Sequence, residues 1–188
     1  MKEKIIDMHS HTNYSDGELS PMELIKHAIE CGVGTIAITD HDTLNGIKNV
    51  DRNDKIIKEN NLRIINGIEL TAQPPKGTMH ILGYDVDLNN KELNDVMTTL
   101  KNSSTNRTLS IMEQIKRDYN IIFSHEDIKE LLNSNHNLGR PDLAKLCVKY
   151  GYAESVPDAF QKYLIDAYNK TLTVNKRLSY EECIKLIE

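Results

Sequence analysis

Short apolar runs alternate with helical patterns over the first ninety residues. Ile5-Ile6-Asp7-Met8-His9 predicts a strand. Ser20-Pro21-Met22-Glu23 predicts a helix start, with Ser20 as cap, Pro21 in the first turn and Glu23 three residues after the cap. Leu24, Ile25, Ala28 and Ile29 form its apolar face, and Gly32 ends it. Thr35-Ile36-Ala37-Ile38-Thr39 predicts a second strand. Asp54 to Asn60 reads as helical, and Leu62-Arg63-Ile64-Ile65 leads into a third strand near Asn66 to Leu70. Met79-His80-Ile81-Leu82-Gly83-Tyr84 predicts a fourth. Strands alternating with helices imply an α/β fold with a parallel sheet, open or closed into a barrel.

The middle of the chain changes period. From Lys91 to Tyr119 the apolar positions Leu93, Val96, Met97, Leu100, Ile111, Met112 and Ile115 keep helical spacing. Further helices are expected from Ser124 to Leu132, from Pro141 to Tyr150 and from Ser155 to Ile165. With no strand alternation between them, residues 91–168 read as an all-helical insertion, flanked by α/β portions at 1–90 and 169–188. Leu172-Thr173-Val174 is expected to be extended. Ser179-Tyr180-Glu181-Glu182 is a capping box that starts a last helix. The chain stops within that helical pattern, and the domain is expected to continue.

Composition narrows the class. The chain has 188 residues, enough for one sizeable core or a domain with an insertion. Its formal charge of −5 is unlike that of a nonspecific nucleic-acid coat protein. A nucleotide substrate stays possible, because bound cations can supply positive charge locally. The absence of Trp argues against extensive base stacking. Cys31, Cys147 and Cys183 are odd in number and far apart, which points to a reducing, cytoplasmic setting. The first residues lack a signal-peptide pattern, and no window approaches the ~20 apolar residues of a membrane span.

The candidate chemistry begins at His9-Ser10-His11. Residues two apart in a strand face the same side, so two imidazoles at a strand end can share one metal ion. Asp16 follows in a loop beside Gly17, where a carboxylate can fold back. Thr39-Asp40-His41-Asp42 places an acid-flanked His directly after the second strand. Carboxylates in such positions orient imidazole, so Asp40 and Asp42 are candidates for support or proton relay. Glu69 and His80 lie at or near the ends of the next two strands. Active sites of α/β folds gather at the carboxyl ends of parallel strands. A lone Glu or His there is more often structural, but four successive strands each delivering one are hard to dismiss. This mixed donor set suits Mn, Zn or Fe, and its size implies more than one ion. His27, His125 and His136 lie in helices or an Asn-rich loop and read as structural or solvated.

Taken in order, Ile6-Asp7-Met8-His9-Ser10-His11, Ser15-Asp16-Gly17, Ile38-Thr39-Asp40-His41-Asp42-Thr43, Gly67-Ile68-Glu69 and His80-Ile81-Leu82-Gly83-Tyr84 resemble the PHP (polymerase and histidinol phosphatase) family. The Gly139-Arg140-Pro141 turn and the helical insertion resemble its stand-alone phosphoesterases. Those act on nucleoside 5′-phosphates, 3′,5′-bisphosphonucleotides or the 5′ ends of short oligonucleotides. The resemblance implies a distorted (β/α)7 barrel, here partial, with two to three metal ions. It makes His9, His11, Asp16, His41, Glu69 and His80 ligands and Arg140 a contact for a substrate phosphate. It also implies a hydrolase that uses metal-activated water on nucleotides or short oligonucleotides. Six of the nine family ligand positions occur, because the later His-Pro and Asp-x-His do not appear before Glu188. Asp142 stands where the family has His after Gly-Arg-Pro. A second reading follows from these departures: a catalytically inactive metal-binding or interaction fragment, which would form a homo-oligomer through an exposed sheet edge.

Overall fold

The structure is a computed structural model that describes residues 4–74, 76–77, 79–171 and 177–188. By internal contact the chain divides into two compact units, Met1–Thr98 with Arg177–Glu188, and Thr99–Lys176. The expected extended segment Leu172-Thr173-Val174 lies outside the described residues. No helix among the described residues is long and apolar enough to cross a membrane.

The first unit is built on one sheet. Its strands are β1 (Ile5–Ser10), β2 (Val33–Ile38), β3 (Arg63–Gln73), β4 (Met79–Tyr84) and the short β5 (Leu178–Ser179). The order is β1-β2-β3-β4, with β5 also on β3. β1–β2 and β2–β3 are parallel, joined through helices α1 (Pro21–Glu30), α2 (Asn45–Lys48) and α3 (Lys55–Asn60). In α1 the Glu23 carboxylate accepts the Ser20 backbone N–H at 2.8 Å, half of the predicted capping box. Ile25, Ile36, Ile38, Ile68 and Leu70 are fully buried and form the core between sheet and helices. Tyr84 Oη on β4 donates to the Met8 carbonyl on β1 at 2.9 Å. The two ends of the strand order thus come within one side chain of each other, which a flat sheet would not allow. The sheet is curled.

One pairing departs from the expected parallel sheet. β4 runs antiparallel to β3, with Glu69 opposite Leu82 and Thr71 opposite His80. Only residues 74–78 separate these strands, and a parallel return needs a crossover of a dozen or more. β3 is longer than predicted because its first half pairs with β2 and its second half with β4 and β5.

The second unit is helical. α4 (Lys91–Tyr119) is one continuous helix, and the division between units falls within it. α5 (His125–Leu132) is capped by Ser124, whose Oγ accepts the Asp127 N–H at 3.1 Å. α6 (Arg140–Lys149) follows. α7 (Val156–Ala159), a π-helical turn at Phe160–Leu164 and α8 (Ile165–Lys170) run on from one another, five residues past the expected end at Ile165. Ile111, Ile115, Leu143, Cys147 and Leu164 are fully buried in its core. The last helix, α9 (Tyr180–Ile187), belongs to the first unit, with Ser179 Oγ accepting the Glu182 N–H at 3.1 Å.

Packing separates the three cysteines by reactivity. Cys147 and Cys183 are fully buried, and burial pushes both thiols up to about 11, whereas Cys31 is exposed. Thiolate is the reactive form. A thiol reagent at about pH 8 should therefore modify Cys31 alone in the native protein and all three cysteines after denaturation. A second fast thiol in the native protein would contradict this packing.

Candidate metal centre

The site forms where the ends of β1 and β2 meet the middle of β3. Glu69 sits beyond the last β2 partner of β3, so its side chain stands at the rim. The loop after β2 continues alongside it: Glu69 N donates to Asp40 O at 3.2 Å and Asp42 N donates to Glu69 O at 2.9 Å. This brings His41 level with Glu69. His80 lies near the start of β4, diagonal to Glu69 across the antiparallel pair and on the same face. Because β4 is reversed, its beginning lies at the rim where the parallel strands end.

Four imidazoles converge on one carboxylate. His80 Nδ1 lies 2.7 Å from Glu69 Oε1. The other oxygen, Oε2, lies 2.8 Å from His9 Nε2, 3.2 Å from His11 Nε2 and 3.6 Å from His41 Nε2. Successive rings stand 5.0 Å (His9–His11), 4.8 Å (His11–His41) and 4.8 Å (His41–His80) apart. Asp16 completes the group, 3.3 Å from His11 Nδ1 and 3.7 Å from His41 Nε2. The Glu69 side chain is 4% exposed and that of Asp16 67%, so the cluster has a buried floor and an open side.

Burial is the largest single effect on Glu69 and pushes its pKa up. The hydrogen bond from His9 and the charges of His41, His9 and His80 together outweigh it and hold the carboxyl below its ordinary value. Burial lowers the pKa of His11 against the pull of Asp16, which favours the neutral ring that a metal ion requires.

Three overlapping groups could each hold an ion: His9 with His11 and Glu69, His11 with Asp16 and His41, and His41 with Glu69 and His80. Imidazole and carboxylate donors at this spacing fit a divalent transition metal. All six residues singled out by spacing are thus brought together.

The two flanking acids do other work. Asp40 is buried, and its carboxylate accepts from Thr12 N at 2.7 Å, Thr12 Oγ1 at 2.7 Å and Ser15 Oγ at 2.6 Å. It thereby fixes the loop that carries His11 and Asp16. Asp42 has positive φ (50°) and its Oδ1 accepts the Thr71 N–H at 2.8 Å. Ligand spacing alone does not single out Thr12 and Ser15. Their signal was two hydroxyl residues interleaved with the donors in His11-Thr12-Asn13-Tyr14-Ser15-Asp16. Two glycines let the loop close. A Cβ on Gly17 would lie 2.3 Å from the His11 carbonyl oxygen, and one on Gly46 1.8 Å from Asp40 Oδ2.

Arg140 opens α6 in the helical unit. Asp142, at the family's His position, is already engaged. Its Oδ2 accepts the Gly139 N–H at 2.8 Å and its Oδ1 lies 2.8 Å from His136 Nε2. His136 is therefore a structural partner of this helix start. His27 Nε2 lies 3.7 Å from Cys31 Sγ, and His125 is the first residue of α5.

The PHP domain family matches residues 7–187. The chain belongs to the PHP family. Rnm, a 5′-3′ exoribonuclease of Salmonella typhimurium LT2, is 32% identical over 160 residues, 85% of this chain and 54% of the relative. A 3′,5′-nucleoside bisphosphate phosphatase of Chromobacterium violaceum is 23% identical over 159 residues, again 85% and 54%. A crystal structure of a Bifidobacterium adolescentis protein assigned to the metal-dependent phosphoesterases matches with a TM-score of 0.74 at 26% identity, covering 96% of this chain and 62% of that one. The chain spans about half the length of the curated relatives it matches. The curled sheet with its helices is accordingly part of a PHP barrel.

Asp40 gives a test that leaves every proposed ligand in place. Asp40→Ala should weaken metal binding by about 10–100-fold, the usual scale for a group that orients ligands. Metal content after dialysis against a graded chelator measures this, and unchanged affinity would remove Asp40 from that role.

Proposed function

We propose that this chain carries the metal centre of a phosphoesterase acting on phosphate monoesters or 5′-terminal phosphodiesters of nucleotides and short oligonucleotides. The observation that carries the reading is the convergence of four His on the buried Glu69, with Asp16 beside His11 and His41. His9, His11, Asp16, His41, Glu69 and His80 would hold two to three ions, with Mn, Zn or Fe suited to the donor set. Bound divalent ions make water nucleophilic near neutral pH and offset charge on a phosphate.

The chain's own residues set the conditions for that chemistry. Burial keeps His11 inclined to its neutral form. The two oxygens of Glu69 face different imidazoles, so one carboxylate can serve two neighbouring positions. The exposed side at Asp16 leaves access for solvent and substrate. Asp40 and Asp42 hold the loops that present His11, Asp16 and His41. Arg140 would take a phosphate oxygen through its planar fork. The helical residues 91–168 would be an insertion in the barrel, a reading supported by the return of Arg177–Glu188 to the first unit. The relatives named as exoribonuclease and bisphosphate phosphatase support the substrate class. The free cysteines fit a cytoplasmic setting.

Loaded with manganese, the full-length protein should release phosphate or nucleotide from at least one of three substrates: a nucleoside 5′-phosphate, a 3′,5′-bisphosphonucleotide or a short oligoribonucleotide. Chelation should abolish turnover and added metal restore it. Glu69→Gln should lower kcat by about a hundredfold or more, the scale of losing a group that stabilises charge. One weakly held ion and no turnover on any of the three would instead identify an inert metal-binding module.

A further inference from the structure

The Arg140 guanidinium carbon lies 4.2 Å from the centre of the Tyr168 ring and 5.5 Å from that of Phe160. Among the described residues, no hydrogen bond or ion pair engages this guanidinium. The nearest acid in sequence, Asp142, is directed to the Gly139 N–H and to His136. Stacking uses the face of the guanidinium and leaves its five N–H donors in the plane, where a phosphate can meet them.

The backbone that delivers the rings is unusual. Phe160 and Tyr168 are eight residues apart, and the π-helical turn Phe160–Leu164 lies between them. In an uninterrupted α-helix, eight residues make about 2.2 turns, and the two side chains would diverge by about 80°. A π turn takes in about one additional residue, so the span behaves as roughly seven and the divergence falls to about 20°. The irregularity thus brings both rings to one side of the helix, where Arg140 meets them.

We infer that Phe160 and Tyr168 are positioning residues: a two-ring shelf, aligned by the π turn, that holds Arg140 with its donors free for a substrate phosphate. The inference rests on the proposed role of Arg140 as a phosphate contact. The shelf acts only through Arg140, and that separates it from ordinary packing.

The test measures the dissociation constant of inorganic phosphate for the manganese-loaded full-length protein by calorimetry. Arg140→Lys should weaken phosphate about tenfold, since the planar fork is lost. Tyr168→Leu should weaken it by a similar factor, about tenfold, with metal content unchanged. Tyr168→Phe, which keeps the ring, should stay within about twofold of the parent. In the Arg140→Lys background, Tyr168→Leu should cause no further loss. Phe160→Leu serves in its place if Tyr168→Leu does not fold. If Arg140→Lys weakens phosphate and neither ring variant does, the shelf is overturned and the role of Arg140 stands. Equal losses from Tyr168→Leu with and without Arg140 would also overturn the shelf. Unchanged binding in Arg140→Lys would overturn the phosphate role itself and the shelf with it.

Discussion

The structure of the sheet-bearing unit turns on a carboxylate kept charged where burial opposes it. Glu69 lies nearly out of solvent, and an ionised carboxylate in such a place is expensive unless it is paired. Its partners are four imidazoles from the end of β1, the loop after β2 and the start of β4. Each must arrive at the same point from a different part of the chain. That demand explains why β3 runs past β2, why the loop after β2 lies beside β3, and why the sheet curls. It also explains Asp40, whose three accepted hydrogen bonds hold the loop that carries His11 and Asp16.

Much of this was legible in the sequence because it rests on local rules. Alternating apolar runs marked β1 to β4, and Ser caps marked the starts of α5 and α9. Five of the six donor residues stood out because they sat within or just after an apolar run, whereas Asp16 stood out beside Gly17 in the loop after His11. The direction of β4 was missed because periodicity does not encode polarity, although the short 74–78 connection could have revealed it. β5 was missed because two residues carry no period, and Ser179 there both pairs with β3 and caps α9. The support given by Thr12 and Ser15 depends on a contact with Asp40 across more than twenty residues, which no spacing rule contains.

The helical unit shows the same division. Its helices were read from their apolar faces, and its core residues Ile111, Ile115 and Leu143 follow that pattern. The π turn at Phe160–Leu164 was not legible, because its apolar positions fit a plain helix nearly as well. Asp142 stands out in the sequence only as a departure from the family's His after Gly-Arg-Pro. The structure gives it a task, holding the Gly139 N–H at the start of α6 with His136 alongside.

The reversal of β4 also bears on how the rim is assembled in time. Glu69 and His80 are only eleven residues apart in a hairpin, whereas His9 and Glu69 are sixty apart. By the logarithmic cost of closing a loop, the longer separation is more expensive by only about 1.5 kcal/mol, so the long-range contact is thermodynamically affordable. In rate the difference is larger in kind, since hairpins close in about 1–10 μs and distant strand pairing is slower. The Glu69–His80 hairpin is therefore the part of the rim that can exist first, a short template onto which the parallel strands bring the remaining histidines.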